Sequence, residues 1–154
     1  MTSHDNSIGV GAAELMAALR QLAGIDEISQ DEFFVYLQVD VSRLVSVMRS
    51  LLNDWGMNYL ANLSAVDYDS EFEVVYHLYA IPDNGKKIAV KVRVPHQQAQ
   101  VPSLVTVFPT ADWQEREAFD LMGISFSGHP NLVRILLPDD FSGHPLRKDF
   151  RKEA

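Results

Sequence analysis

The sequence contains no cysteine, and this absence excludes several kinds of site. Without thiols the chain has no means of forming a disulfide, a thiolate zinc site or an iron–sulfur cluster held by its own side chains. A Gly-x-Ser-x-Gly nucleophile elbow and a phosphate-cradling glycine loop are absent too. No apolar run approaches the roughly 20 residues that cross a bilayer, and the first residues lack the basic start and apolar core of a secretory signal. We therefore expect an intracellular chain without direct membrane insertion.

The charge of the chain is unevenly distributed along its length. The 154 residues are 47% hydrophobic and 22% charged, which is typical of one soluble globular domain. Of the formal net charge of −8, residues 1–85 carry 13 acids and 3 bases, and residues 86–154 carry 8 acids and 10 bases. The acidic first half argues against nucleic acid as a partner and permits docking to a basic protein surface.

Hydrophobic periodicity predicts helices and strands in the order α, β, α, β, β, β, α, followed by an irregular end. The helices are predicted at about 10–23, 41–55 and 112–122, and the strands at about 32–39, 58–66, 71–81 and 86–94. Strands that follow one another in hairpins, with helices gathered on one side, are typical of the α+β class. We expect a mostly antiparallel sheet of about four strands with helices packed on one face.

The chain is expected to have three parts: a flexible tail, a folded domain and an extended segment. Residues 1–9 are predicted to be a flexible N-terminal tail, and residues 10–126 the α+β domain. Residues 127–154 contain three prolines and two glycines and should form an extended C-terminal docking segment.

The last predicted helix begins with a candidate capping box. Asp112 has the character of an N-cap, and Glu115 stands three residues later. Arg116 follows Asp112 at the i,i+4 spacing that favours an ion pair. Glu115 and Glu117 point about 200° apart on a helix, so we do not expect them to act on one substrate atom. A capped helix end with some residues facing a partner protein is the favoured interpretation.

The phrase Ser-Gly-His-Pro occurs twice, at residues 127–130 and 142–145. Proline forces each histidine toward extended backbone, and glycine allows a turn before it, so both copies are explained as corners with His129 and His144 bonding to nearby backbone. A metal site or an acid–base pair built from these histidines with Asp139 and Asp140 is the alternative, although the spacing matches no metal motif.

The irregular end is basic and carries anchoring apolar residues. Its cations are Arg134, Arg147, Lys148, Arg151 and Lys152. Such a segment suits wrapping over another protein, or folding back onto its own domain, and the two interpretations are compatible.

Residues 112–150 resemble the signature region of the 30-kDa subunit of NADH:quinone oxidoreductase, which is respiratory complex I. A weaker likeness extends upstream, through Asp67 and the central strands, to about residue 31. The residues that carry the resemblance, and that the resemblance marks as a subunit interface, are Glu115, Arg116, Glu117, Asp120, Gly123, His129, Pro130, Arg134, His144, Pro145, Arg147, Lys148 and Asp149.

The resemblance implies a non-catalytic structural subunit with no cofactor of its own. Such a subunit sits in the hydrophilic arm against the hydrogenase-like large subunit, near the iron–sulfur chain and the quinone site. FMN, iron–sulfur clusters and quinone are then expected in partner subunits, and the location is peripheral, on the cytoplasmic side of the cell membrane in a bacterium. Many relatives continue beyond the position of Phe150 with a longer tail, which bears on the extent of the docking surface.

Three other functions remain open from the sequence. One is the equivalent subunit of a membrane-bound energy-converting hydrogenase or of a ferredoxin- or F420-dependent complex. Another is a small metal-dependent enzyme that uses His129, His144, Asp139 and Asp140. The third is an assembly factor that leaves the complex once it is built.

Overall fold

A computed structural model of the chain describes residues 14–82 and 85–152. Residues 14–19 are helical and are called α1; the other helices are α2 (Leu44–Trp55) and α3 (Ala111–Met122). The strands are β1 (Ile25–Gln30), β2 (Val35–Val39), β3 (Tyr59–Asp67), β4 (Glu71–Tyr79), β5 (Lys87–Pro95), β6 (Gln100–Pro102) and β7 (Ser125–Ser127). The predicted tail at residues 1–9 lies outside the described residues.

Five strands form the main sheet, in the order β1-β2-β5-β4-β3. Neighbouring strands are antiparallel except β2 and β5, which pair in parallel with Leu37 opposite Val90. Strands β6 and β7 form a separate parallel pair, and α3 lies in the connection between them. The predicted α+β class and mostly antiparallel sheet are confirmed.

The core lies on one face of the main sheet. Phe72, Val74, Tyr76 and Leu78 alternate along β4 and belong to the same apolar cluster as the buried residues of the three helices. Val75, on the opposite face of β4, is buried but stands outside this cluster. The alternation of strand side chains and the apolar stripes of the helices therefore meet at one face, as the periodicity predicted.

Strand β1 was not expected from the sequence. Its residues, Ile-Asp-Glu-Ile-Ser-Gln, are mostly polar, and as an edge strand it buries little of its surface. Asp31 accepts hydrogen bonds from the backbone N–H groups of Phe33 and Phe34, and this turn connects β1 to β2. The first helix also ends at residue 19 rather than 23, while Gly24 has the positive φ that a chain reversal requires.

The second helix follows the prediction closely. Asp40 accepts from the N–H of Ser42 and opens a 3-10 turn at Val41–Arg43, which continues directly into α2. Gly56, with φ of 70°, ends the helix in the left-handed conformation.

Candidate functional site

The C-terminal segment, defined here as residues 128–152, is irregular and is fastened to the domain by two buried carboxylates. The first is Asp120, near the end of α3, whose side chain is fully buried. Its Oδ2 atom accepts hydrogen bonds from three consecutive backbone N–H groups, those of Ile135 (3.1 Å), Leu136 (2.7 Å) and Leu137 (3.0 Å). A single oxygen atom thereby fixes three consecutive residues of the segment.

Arg134 completes the shell around Asp120. One guanidinium nitrogen donates to Oδ1 of Asp120 at 2.7 Å and to its backbone carbonyl at 3.2 Å, and the other donates to the carbonyl of Gly143 at 2.7 Å. Arg116, also on α3, donates to the carbonyls of Val133 and Arg134. The planar fork of an arginine can join two stretches of backbone in this way, whereas a lysine offers only a point charge.

The environment of Asp120 favours its ionised form. Burial alone would raise the pKa of this carboxyl, but the N–H groups of Leu136, Leu137 and Ile135 and the guanidinium of Arg134 together lower it to about 2. A carboxylate that accepts several backbone hydrogen bonds typically shows such a depressed pKa. Asp120 is therefore a structural anion at neutral pH.

The second carboxylate is Asp67, which ends strand β3 and is also buried. Its Oδ2 accepts the backbone N–H of Lys148, 81 positions later in the sequence, at 2.8 Å. Its Oδ1 lies 2.6 Å from Nε2 of His96 and accepts the N–H of Asp69 at 2.8 Å. Burial acts to raise the pKa of Asp67, but these donors outweigh it and the pKa is lowered.

His96 connects this carboxylate to the signature residues at the end of the chain. Its ring stacks on Phe72 at 4.0 Å, and its Nδ1 lies 3.3 Å from a guanidinium nitrogen of Arg147. Because a guanidinium can only donate, Nδ1 of His96 accepts a hydrogen bond from Arg147, and the protonated Nε2 donates one to Oδ1 of Asp67. Arg147 also lies over the Phe72 ring and forms two hydrogen bonds to Asp149, which hold the pKa of Asp149 at about 2.

The two repeated histidines are both bonded to backbone, as the turn interpretation predicted. Nδ1 of His129 accepts the N–H of Asn131, and Nε2 lies 3.2 Å from the backbone carbonyl of Asp112. The Oδ1 atom of Asp112 lies 2.9 Å from the same nitrogen, but it forms no hydrogen bond; the backbone carbonyl of Asp112 is the acceptor. The ring is fully buried, so His129 fixes the C-terminal segment to the first turn of α3.

His144 fixes the segment to the other end of the same helix. Its Nδ1 donates to the backbone carbonyl of Asp120 at 2.9 Å, and Leu146 donates its N–H to the carbonyl of Leu121. A Cβ atom at Gly123 would come within 2.8 Å of the His144 ring, and Gly123 has φ of 74°. This glycine is therefore required both by the backbone conformation and by the close approach of the ring.

The predicted capping box at α3 is wrong. Thr110, not Asp112, flanks the first helical residue, and no side chain caps the helix. Glu115 is fully buried and accepts the hydroxyl of Ser103 at 2.6 Å and the N–H of Leu104 at 2.7 Å. Burial raises the pKa of Glu115. Glu115 faces inward and bonds to the loop that precedes α3, instead of capping its own helix. Local sequence patterns do not encode this contact.

The remaining signature residues are distributed between interior and surface. Glu117 is exposed and points away from buried Glu115, as the helical geometry predicted. Pro130 is exposed, and Pro145 is partly buried beside His144. Asp139 and Asp140 are exposed. Among the described residues there is no group of three or more histidine, aspartate or glutamate side chains placed to hold a metal ion.

Anchoring leaves several large apolar side chains of this region in contact with solvent. Val133 is 43% exposed, Leu136 57% and Leu146 59%, and Trp113 on α3 is 60% exposed. Arg116 lies over the Trp113 ring while it holds the backbone near Val133. These side chains are accessible to a partner protein, and the hydrogen bonds to the backbone of the segment hold it against its own domain.

Sequence reasoning missed the Asp67, His96 and Phe72 cluster as a site. The available signal was an aspartate at the end of an alternating strand, where an apolar residue would be expected on the buried face. His96 lies in a polar stretch after β5, and the structure places it in a 3-10 turn at His96–Gln98, before strand β6. The spacing of 29 and 81 positions between partners could not be derived from local patterns.

The fold is shared with chains of two solved structures. Nqo5, solved as a trypsin-resistant fragment 1–134, superposes with a TM-score of 0.67 at 27% identity, over 79% of this chain and 98% of that one. A chain of the membrane-bound sulfane sulfur reductase, an archaeal respiratory membrane complex, superposes with a TM-score of 0.78 at 24% identity, over 92% and 85%. At 24% identity, the likeness to the sulfane sulfur reductase chain shows a shared fold only.

Sequence comparison identifies the family. The family model of the respiratory-chain NADH dehydrogenase 30 Kd subunit matches residues 37–154. An NADH-quinone oxidoreductase subunit of Moorella thermoacetica is 54% identical over 77% of this chain and 80% of its own length. The corresponding subunit of Roseiflexus castenholzii is 46% identical over 89% and 80%. The chain therefore belongs to the 30 Kd subunit family of respiratory-chain NADH dehydrogenase, which confirms the resemblance seen in residues 112–150.

Proposed function

We propose that this chain is a non-catalytic structural subunit of the hydrophilic arm of a proton-translocating NADH:quinone oxidoreductase. Its C-terminal segment would dock the hydrogenase-like large subunit near the iron–sulfur chain and the quinone site. One observation carries the docking role: the segment is held to its own domain through Asp120 and Asp67, and still presents Val133, Leu136 and Leu146 to solvent.

Pre-organisation is the physical reason why such a segment suits an interface. Binding a flexible strand costs conformational entropy for every residue that becomes ordered. In this chain three backbone N–H groups on one Asp120 oxygen, and the fork of Arg134, fix the segment before any partner arrives. Apolar contacts to Leu136 and Leu146 then contribute to affinity without that cost.

We also propose that FMN, the iron–sulfur clusters and quinone are bound by partner subunits. The histidines of this chain that could have been ligands have structural bonds: His129 uses both ring nitrogens, and His144 uses Nδ1. This arrangement argues against the metal-dependent enzyme built on His129, His144, Asp139 and Asp140. No helix among the described residues has the length and apolar character needed to span a bilayer. The chain would be peripheral, on the cytoplasmic side in a bacterium.

Affinity purification of the tagged chain from native membranes tests this function. We expect the hydrogenase-like large subunit and the iron–sulfur subunits to be recovered with it from the mature complex. Recovery of the chain alone, or only with incompletely assembled subunits, would contradict a resident structural role and favour an assembly factor.

Surface variants test the docking segment itself. Leu136→Ser combined with Leu146→Ser should reduce recovery of the large subunit, because two exposed apolar contacts are lost while the internal anchors remain. Phe33→Ser combined with Ile81→Ser is the matched control, since both residues are exposed apolar side chains outside the segment. Equal recovery with both double variants would show that the segment is not the docking surface.

The equivalent subunit of another membrane-bound respiratory complex is the second candidate. The similarity of fold to a chain of the sulfane sulfur reductase complex favours keeping it. The copurified electron-input subunits discriminate, because an NADH-oxidising flavoprotein and a ferredoxin- or F420-dependent module are different proteins.

A further inference from the structure

The last turns of the C-terminal segment line a cavity of about 460 Å³. The rings of Phe141 and Phe150, here called the aromatic wall, contribute to its lining. The charged lining residues are Arg147, Asp149, Arg151 and Lys152. The cavity has the size of a site for a small molecule or for a few residues of peptide.

Contacts within the C-terminal segment hold the aromatic wall of this cavity in place. The rings of Phe141 and Phe150 lie nearly parallel, with centroids 6.2 Å apart. Arg134, which is anchored to Asp120, lies over the Phe141 ring, and a Cβ atom at Gly143 would come within 3.0 Å of Phe150. The wall therefore exists before any ligand binds.

The ion pairs of the described residues leave part of the positive charge of the cavity unbalanced. Arg147 is neutralised by Asp149, which binds it through both carboxylate oxygens. Arg151 donates to the carbonyls of Phe150 (2.9 Å) and Lys148 (3.3 Å), so it is oriented by backbone. Within residues 14–82 and 85–152, neither Arg151 nor Lys152 forms an ion pair. Two lining cations of the cavity, Arg151 and Lys152, are thus without an ion-pair partner among the described residues.

We propose that this cavity binds an acidic peptide segment of a neighbouring subunit, with its carboxylates on Arg151 and Lys152 and an apolar side chain against Phe141 and Phe150. Charge complementarity argues for an anionic occupant. The aromatic wall distinguishes a peptide from a bare anion, because it offers apolar contact that a phosphate group cannot use. Leu146, an exposed residue of the proposed docking surface, directly precedes the lining residue Arg147 in the sequence. The identity of the partner as a subunit rests on the proposed function; the acidic character of the ligand does not.

Binding is tested on the purified full chain, without other subunits. The probe is a short peptide that alternates glutamate with leucine and phenylalanine, carries a neutral fluorophore and is followed by fluorescence anisotropy. We expect saturable binding that weakens with added salt, and little binding of the same peptide with glutamine in place of glutamate. Arg151→Glu with Lys152→Glu should weaken binding about tenfold, since two attractive contacts become repulsive. Arg20→Glu with Arg49→Glu changes the net charge equally on exposed positions elsewhere and should leave binding unchanged.

Other ligands give outcomes that overturn the proposal. Equal binding of the glutamine peptide, or an equal loss in the control variant, would remove the charge argument. Competition by inorganic phosphate at equimolar concentration, or preferential binding of phosphatidylglycerol vesicles over the peptide, would identify a phosphate-bearing ligand instead. Phe150→Leu, which keeps an apolar side chain, should weaken binding of the peptide and leave any binding of phosphate unchanged.

The failure of this proposal is distinguishable from failure of the proposed function. If the wild-type chain recovers its neighbouring subunits from membranes, and the Arg151→Glu and Lys152→Glu variant does so equally at every salt concentration, the cavity is not an interface although the function stands. If the wild-type chain recovers no subunit, the function fails, and the peptide assay still decides what the cavity binds.

Discussion

Replacement of Asp120 by asparagine should strongly destabilise this chain, although the two side chains have nearly the same shape. The carboxylate is fully buried, accepts three backbone N–H groups and pairs with Arg134. Asparagine has almost the same shape but only one oxygen, and its amide nitrogen is a donor. In either orientation of the amide, at least one buried donor loses its acceptor, and the guanidinium loses its counter-charge.

The magnitude follows from the pKa and from the orphaned donors. Because the pKa of Asp120 is about 2 rather than the usual 3.8, the ionised form contributes about 2 kcal/mol to folding at neutral pH, at about 1.36 kcal/mol per pKa unit. A buried donor left unsatisfied costs about 1–3 kcal/mol more. We therefore expect Asp120→Asn to lower the free energy of unfolding by about 3–5 kcal/mol, the range measured for broken buried ion pairs.

Urea unfolding at neutral pH, followed by the fluorescence of Trp55 and Trp113, measures this difference. Asp139→Asn is the matched control, because that aspartate is an exposed acid of the same segment. A folded-state pKa below the unfolded value means that the stabilisation is present above about pH 4 and is lost as pH falls toward about 2. The difference between wild type and Asp120→Asn should shrink over that interval. A loss below about 1 kcal/mol at neutral pH, or a difference that is independent of pH, would refute the reasoning.

Three further predictions concern other contacts of the site. Gly123→Ala should lower the free energy of unfolding by about 1–3 kcal/mol in thermal unfolding, because φ is 74° and the methyl group meets His144; a cost that is unchanged in a His144→Ala background would contradict the clash. Burial raises the pKa of Glu115, so its contribution is present below about pH 4.5 and declines as pH rises; Glu115→Gln should remove this falling slope from the pH dependence of urea unfolding, and parallel curves would argue against it. His96→Phe keeps the stack on Phe72 but removes a donor to buried Asp67, and should cost about 1–3 kcal/mol in urea unfolding; no change would mean that Lys148 and Asp69 satisfy the carboxylate alone.

The opposite pKa shifts of Asp120 and Glu115 show how neighbouring positions on one helix are used differently. Both side chains are fully buried on α3. Asp120 faces three N–H groups and a guanidinium, whereas Glu115 faces one N–H, one hydroxyl and the apolar core. Burial acts to raise both pKa values; the donors around Asp120 outweigh this effect, whereas the two donors to Glu115 do not.

Local periodicity determined much of the fold without help from tertiary contacts. The bounds of β3, β4 and β5 were predicted within two residues, because strand side chains alternate with a period of two. Helix α2 was predicted from an apolar stripe with a period of 3.6, and it begins at Leu44 rather than at residue 41, because a 3-10 turn precedes it. Gly24, Gly56 and Gly123 all have the positive φ that the chain reversals required. Strand β1 escaped prediction because an edge strand that is exposed on most of its length need not alternate.

The C-terminal segment shows what the sequence determined and what only tertiary structure decided. Its prolines and glycines determined that it is irregular, and its motif determined the family. Only the tertiary structure decided which side chains hold the segment. Asp67 accepts the backbone N–H of Lys148, 81 positions away in the sequence. Glu115, which was predicted to complete a capping box, instead accepts the hydroxyl of Ser103. The physical reason is that a buried carboxylate takes whichever donors the folded chain brings within about 3 Å, and that distance is independent of separation along the sequence.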